Sequence, residues 1–212
     1  HKNLALLTRI CVINAEKTKT LGDVVEMKEC MKDNIEEILL PEQELAKAVK
    51  KLGRQISSDY EGKNLIMVGV LKGSVIFMAD LLRAITIPVS IDFMSVSSYG
   101  SGVKTSGVVK IIKDLDHDLS GYDVLIVEDI LDSGLTLSYL TNVIRQRNVK
   151  SIRVATLLDK PDRRQVNIKP DYSCFVVPDK YVVGYGMDYN QRYRNLPYVG
   201  VLKPEVYTKK EK

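Results

Sequence analysis

Apolar residues along the chain fall into short runs and one-sided stripes, separated by polar turns. Residues 124–127 are four apolar side chains, three of them β-branched, and read as a fully buried strand. Leu65–Leu71 has the same character, and residues 152–158 and 174–177 add two more strands. Residues 88–97 alternate imperfectly, with Val89, Ile91, Phe93 and Ser95 set against Ser90, Asp92 and Met94; residues 108–112 return as a strand. Helical spacing holds the remaining apolar positions. Pro41, followed by Glu42 and Glu44, marks a helix start, and Leu45, Ala48, Val49, Leu52 and Ile56 form one face through about Ser57. Val75, Met78, Ala79 and Leu82 form a second stripe, and Leu137, Leu140, Val143 and Ile144 a third. Strands alternating with helices predict an α/β fold, a mainly parallel central sheet flanked by helices.

The chemistry concentrates after the strand at 124–127. Glu128 and Asp129 follow it directly, and Asp132-Ser133-Gly134-Leu135-Thr136 turns the chain into the third helix. A small hydroxylated turn holding glycine, between a strand and a helix N-terminus, suits an anion, because N–H groups converge there and the helix dipole favours negative charge. The carboxylates beside it suit hydroxyls or a hard divalent cation. Val70-Leu71-Lys72-Gly73-Ser74 invites comparison with a nucleotide-binding P-loop, but the Gly-x-x-x-x-Gly-Lys spacing is missing. Residues 98–107 are rich in Gly and Ser and read as a mobile loop. His117, in a polar connection, reads as a surface histidine.

Composition narrows the function classes. The 212 residues suit one α/β domain, taken as residues 31–212, with residues 1–30 as a leader or extension outside the core. A net charge of +4 is mild, fits an anionic small substrate and predicts neither nucleic-acid nor membrane binding. Three cysteines, Cys11, Cys30 and Cys174, are odd in number and widely spaced, which indicates neither a disulfide framework nor a zinc site. No apolar run approaches transmembrane length, so a reducing cytoplasm is expected.

Val127-Glu128-Asp129-Ile130-Leu131-Asp132-Ser133-Gly134-Leu135-Thr136 resembles the phosphoribosyl diphosphate (PRPP) motif of type I phosphoribosyltransferases. Two later features are similar to the C-terminal hood of the 6-oxopurine branch, the hypoxanthine-guanine enzymes. One is Leu157-Leu158-Asp159-Lys160-Pro161; the other runs from Val177 through Tyr181, Val182 and Asp188 to Arg194 and Leu196. The resemblance covers about residues 31–207. It implies the type I phosphoribosyltransferase fold with a small hood, and transfer of the phosphoribosyl group from PRPP to hypoxanthine or guanine, giving IMP or GMP and pyrophosphate.

The resemblance also implies residue roles. Glu128 and Asp129 would hold the ribose hydroxyls, Asp132 would be the general base at purine N7, and Ser133, Gly134, Leu135 and Thr136 would cradle the 5′-phosphate. Lys72, Gly73 and Arg194 would bind pyrophosphate, with a non-proline cis peptide at the turn of Leu71 and Lys72. Lys160 would read the purine 6-oxo group, Tyr181 would stack on the base, and Val182 and Asp188 would read its edge. Ser98 and Tyr99 would form a lid. Mg²⁺ would sit at Glu128, Asp129 and Asp188, and the protein would be a homodimer or homotetramer. Leu135 departs from members that carry Lys in the phosphate loop and points to the bacterial branch. Xanthine- and uracil-using enzymes are the nearest rivals; Lys160 with Tyr181 disfavours uracil but leaves xanthine open. A PRPP-sensing regulator of nucleic acid is the rival from another class, and residues 1–30 are too short for its winged helix.

Overall fold

The computed structural model describes residues 31–98 and 109–208. They divide into two compact units, residues 31–37 with 202–208, and residues 38–201. The larger unit holds every described residue of the expected site. Its elements are β1 (Ile35–Leu40, its last three residues in this unit), α1 (Glu42–Asp59), β2 (Leu65–Leu71), α2 (Val75–Ala84), β3 (Ser90–Ser98), β4 (Val109–Lys113), β5 (Asp123–Leu131), α3 (Leu135–Arg145), β6 (Ser151–Asp159), β7 (Tyr172–Val176), β8 (Val182–Val183) and β9 (Val199–Leu202, up to Val201).

Six strands form the main sheet in the order β4-β3-β2-β5-β6-β7; every neighbouring pair is parallel except β3 and β4. The expected mainly parallel sheet is therefore observed. Within β2 and β5 the side chains alternate between its two faces. Leu65, Met67, Leu125 and Val127 pack with Leu45, Val49, Phe77 and Leu81 of α1 and α2. Ile66, Val68, Val70, Val124 and Ile126 pack with Leu137, Leu140 and Ile144 of α3. Burying each such side chain contributes about 1.5–3 kcal/mol, so the uniformly apolar strands follow from having helices on both faces. Gly53 allows the two helices on the first face to touch: a Cβ there would lie 2.5 Å from Cβ of Ala84.

The chain leaves β2 through α2 towards β3 and leaves β5 through α3 towards β6, in opposite directions along the sheet. The crevice between the C-terminal ends of β2 and β5 is thus the topological switch point, where α/β sheets bind ligands.

Two expectations shift in detail. The strand read at 124–127 continues to Leu131, pairing Glu128 with Thr156, Ile130 with Leu158 and Leu131 with Asp159 of β6. Glu128 and Asp129 therefore lie within the strand rather than after it, because ladder pairing outlasts the apolar run. The short strands β1, β9 and β8 form a second small sheet that the apolar pattern did not predict. Two residues in β8 and four in β9 are too few for periodicity to register, and β1 carries Glu36 and Glu37 side by side.

Candidate functional site

Residues 132–134 leave β5, and Gly134 takes φ +82°, a left-handed conformation that costs glycine little. Its carbonyl accepts from Ser138 N–H at 2.9 Å, which starts α3; Leu135 N–H meets Ser133 Oγ at 3.4 Å, and Gly134, at the N-cap, has no side chain to take the other first-turn N–H groups. Ser133, Gly134, Leu135 and Thr136 thus surround the helix N-terminus. Val166, Ile168 and Arg164 pack under Gly134, within 3.1 Å of where a Cβ would stand.

Glu128 and Asp129 lie partly buried beside this turn. Burial, and then the charge of Asp129, hold the Glu128 carboxyl well above the usual carboxylate range. Burial likewise pushes Asp129 up to about 6, with Ile130 N–H and the more distant Arg194 pulling the other way and Asp188 reinforcing the rise. Two adjacent carboxylates short of positive charge fit a hard cation. The described residues hold no cluster of three or more metal-ligating side chains. Mg²⁺ needs none: it keeps several waters and is bound by one or two carboxylates together with substrate phosphates.

Across the crevice, the turn after β2 has a cis peptide between Leu71 and Lys72. Gly73 comes so close to Asp129 that a Cβ would lie 1.8 Å from its carboxylate oxygen. The backbone of this turn and the carboxylate therefore share one small space. Gly186 packs on the other side, where a Cβ would lie 2.1 Å from Gly73 O, and its φ of +102° is open to glycine.

The segment 184–194 forms the hood over this turn. Tyr185, Asn190, Gln191 and Tyr193 all have positive φ, a concentration of strained backbone typical of ligand sites. Arg194 holds the segment together: it donates to Gly186 O at 2.7 Å and pairs with Asp188 at 2.7 Å. Gln191 donates its N–H to Asp188 at 2.7 Å, and its Oε1 accepts from Lys72 Nζ at 3.3 Å and Arg194 at 3.4 Å. Tyr185 donates to Asp80 of α2 at 2.5 Å. Lys72, Gly73, Asp188 and Arg194, from two distant stretches of the sequence, are thus brought together.

Lys160 directly follows β6 and is only 5% exposed. Burial moves its pKa down, while Asp132 and Asp179 partly restore it. Its Nζ donates to Lys180 O at 2.5 Å, which ties it to the residue before Tyr181. The Tyr181 ring is exposed and meets Tyr189 edge-on, with centroids 5.7 Å apart, and Val182 beside it is buried in β8. Asp132 Oδ1 is buried and makes no hydrogen bond among the described residues.

The lid expectation meets a boundary: Ser98 ends β3, and Tyr99 lies outside the described residues, as do residues 1–30. His117 lies at the surface, as expected, and its ring also meets a buried carboxylate. Its N–H and Nδ1 lie 3.0 and 2.9 Å from Oδ2 of Asp92, a carboxylate buried in β3. Sequence reasoning also passed over Gln191, Arg163 and Arg164. Two adjacent arginines one residue beyond Asp-Lys-Pro were the available signal for the last two; Gln191 carried none.

Residues 36–190 match the family described as phosphoribosyl transferase domain. The chain is 56% identical over 177 residues to the hypoxanthine-guanine phosphoribosyltransferase of Bacillus subtilis, covering 84% of itself and 98% of that protein. It is 54% identical to the Listeria monocytogenes bifunctional protein TilS/HprT over 85% of itself, spanning 28% of that relative's length. A hypoxanthine phosphoribosyltransferase crystal structure from Staphylococcus aureus superposes with a TM-score of 0.82 at 50% identity, over 84% of this chain and 97% of that one.

Proposed function

Because the chain belongs to the phosphoribosyltransferase family, among its hypoxanthine-guanine members, we propose that it transfers the phosphoribosyl group of PRPP to N9 of hypoxanthine or guanine. The observation that carries the reading is the convergence on one crevice of a helix N-terminus, a cation-starved carboxylate pair, a buried lysine and a buried carboxylate oxygen that accepts no hydrogen bond among the described residues. Each suits one part of the substrates. The N–H groups of residues 134–136 and the side chains of Ser133 and Thr136 receive the 5′-phosphate. Glu128 and Asp129 take the ribose hydroxyls, and the backbone of Lys72 and Gly73, with Arg194, receives pyrophosphate.

The purine lies between Tyr181, which stacks on it, and the main chain around Val182 and Asp188, which reads its edge. Asp132 accepts the N7 proton as N9 bonds to the anomeric carbon and the electron pair of the breaking bond leaves with pyrophosphate. The carboxylates below the sugar favour its developing positive charge. Glu128 and Asp129, with Asp188 nearby, would hold Mg²⁺, which neutralises the leaving pyrophosphate when bound. The products are IMP or GMP and pyrophosphate. Ser98 and Tyr99 close the site, residues 31–212 act as one domain, and the active form is a homodimer or homotetramer. No helix among the described residues is long and apolar enough to cross a membrane, and we place the activity in the cytoplasm.

Base choice at Lys160 tests the reading. Its ammonium only donates, so it pairs with a 6-oxo group and meets the adenine amino group donor to donor. An unmade bond in a buried pocket costs about 1–3 kcal/mol, roughly ten- to a hundredfold in rate. Lys160→Ser should therefore narrow the kcat/KM advantage of hypoxanthine over adenine by about that factor. Tyr181→Leu should weaken both bases alike. An unchanged ratio in Lys160→Ser would remove the support for 6-oxopurine specificity.

A further inference from the structure

Segment 160–165 runs alongside residues 131–133: Lys160 N–H donates to Leu131 O and Gln165 N–H to Ser133 O, both at 2.9 Å. Between these two ties, Pro161–Arg163 makes a single 3₁₀ turn, closed by Arg164 N–H on Pro161 O at 3.1 Å. The turn carries Arg163 to a point facing Asp132. Its Nε lies 3.3 Å from Asp132 Oδ1, and its NH1 lies 3.4 Å from Asp179 Oδ1. Asp179 in turn lies 3.8 Å from the Lys160 ammonium. Four charges of alternating sign, Asp132, Arg163, Asp179 and Lys160, therefore line one edge of the base pocket.

A purine whose O6 meets Lys160 and whose N7 meets Asp132 presents one edge to both, and Arg163 stands behind that edge. Asp132 Oδ1 makes no hydrogen bond among the described residues, so the contact with Arg163 is one of charge and leaves the oxygen's acceptor capacity for substrate.

We infer that Arg163 is the positioning residue of Asp132, holding that carboxylate in one orientation through a contact anchored by Asp179. The inference rests on Asp132 being the base. Arg163 gives up no proton: the N7–H bond breaks, the proton goes to Asp132, and the attraction of the guanidinium weakens as the carboxylate becomes neutral. Half of the Arg163 side chain is exposed, so solvent screens the pair and the effect is modest.

The test is a cycle of Arg163→Gln, Asp132→Asn and the double variant, each assayed for kcat and for KM of PRPP and hypoxanthine, with thermal melting as a check on folding. Arg163→Gln should lower kcat about two- to fivefold and leave the KM for PRPP unchanged. In the Asp132→Asn background the same change should do nothing further, because no charge remains to hold. Arg163→Lys should recover most of kcat, and Asp179→Asn should lower it by less than Arg163→Gln. An equal loss in both backgrounds, an unchanged kcat in Arg163→Gln, or a raised PRPP KM with kcat intact would overturn the inference. Wild-type turnover in Asp132→Asn alone would overturn the assignment of the base instead.

Discussion

Asp92 and Asp129 sit on strands of one sheet and are treated in opposite ways. Asp92, on β3, is 4% exposed, and its carboxylate is saturated: it accepts from Phe93 N–H at 2.7 Å, Asp116 N–H at 2.9 Å and His117 N–H at 3.0 Å. His117 Nδ1 adds a contact at 2.9 Å, and the Lys113 ammonium lies 3.8 Å away. Burial opposes the charge, but the His117 ring and the three backbone donors outweigh it and hold the carboxyl below the usual range. Asp129, on β5, is held above that range, to about 6, with too few donors to offset its burial. A saturated buried carboxylate fastens a fold; an unsaturated one is built for something not yet bound.

The largest effect that would break this contrast is metal removal. If the Glu128 and Asp129 pair is completed by Mg²⁺ and PRPP, turnover should fall to background in excess EDTA and return when magnesium is restored. Full turnover in EDTA would mean that the carboxylates are not waiting for a cation.

Exchange of the two aspartates comes next. Asp129→Asn should cost about ten- to a hundredfold in kcat/KM for PRPP while leaving the melting temperature level or higher, since it removes a charge that the fold does not satisfy. Asp92→Ala should do the reverse. It strands buried donors, which costs about 2–4 kcal/mol of stability, and the folded fraction should keep its KM values. Thermal melting and initial rates on the same preparations check both.

Much of this contrast was hidden in the sequence. The 127–136 motif is legible because its ten residues are contiguous and their chemistry is local. Asp92 reads as one more polar residue in an imperfect alternation, and only the return of the chain at 116–117 shows that it is a fastening point. Gln191 meets Lys72 across 119 positions, and no periodicity or spacing encodes that contact. Lys160 and Tyr181 became legible through their order within a known pattern, whereas Arg163 did not, because its partners, Asp132 and Asp179, lie in other segments of the chain.

A smaller effect lies in acid. The Asp92 carboxyl has a folded pKa below its ordinary value of 3.8, so its contribution is fully present above 3.8 and is lost as the pH falls through the folded value. The stability gap between wild type and Asp92→Asn should therefore be constant near neutrality and shrink below about pH 3.8. A gap that widens in acid would mean that Asp92 is not the group titrating there; Lys113, Asp116 and His117 are the other charged groups facing it.

The smallest expected effect comes from removing residues 1–30. The family match begins at residue 36 and every proposed site residue lies after it, so rates and melting temperature should stay close to those of the full chain. An insoluble or inactive truncation would show that the segment contributes to the folded body.

The meeting of Gly73 with Asp129 and of Gly186 with Gly73 carries a lesson about mutational tolerance. Alanine at 73 drives a methyl into a carboxylate, and alanine at 186 drives one into a carbonyl at a φ that alanine resists. Neither glycine has a side-chain functional group, yet each sits where a Cβ would meet another group within about 2 Å. A scan of random substitutions should therefore rank both beside Asp132 in sensitivity, and a reader of that scan who equated intolerance with side-chain chemistry would miss that both positions are intolerant because they must be small.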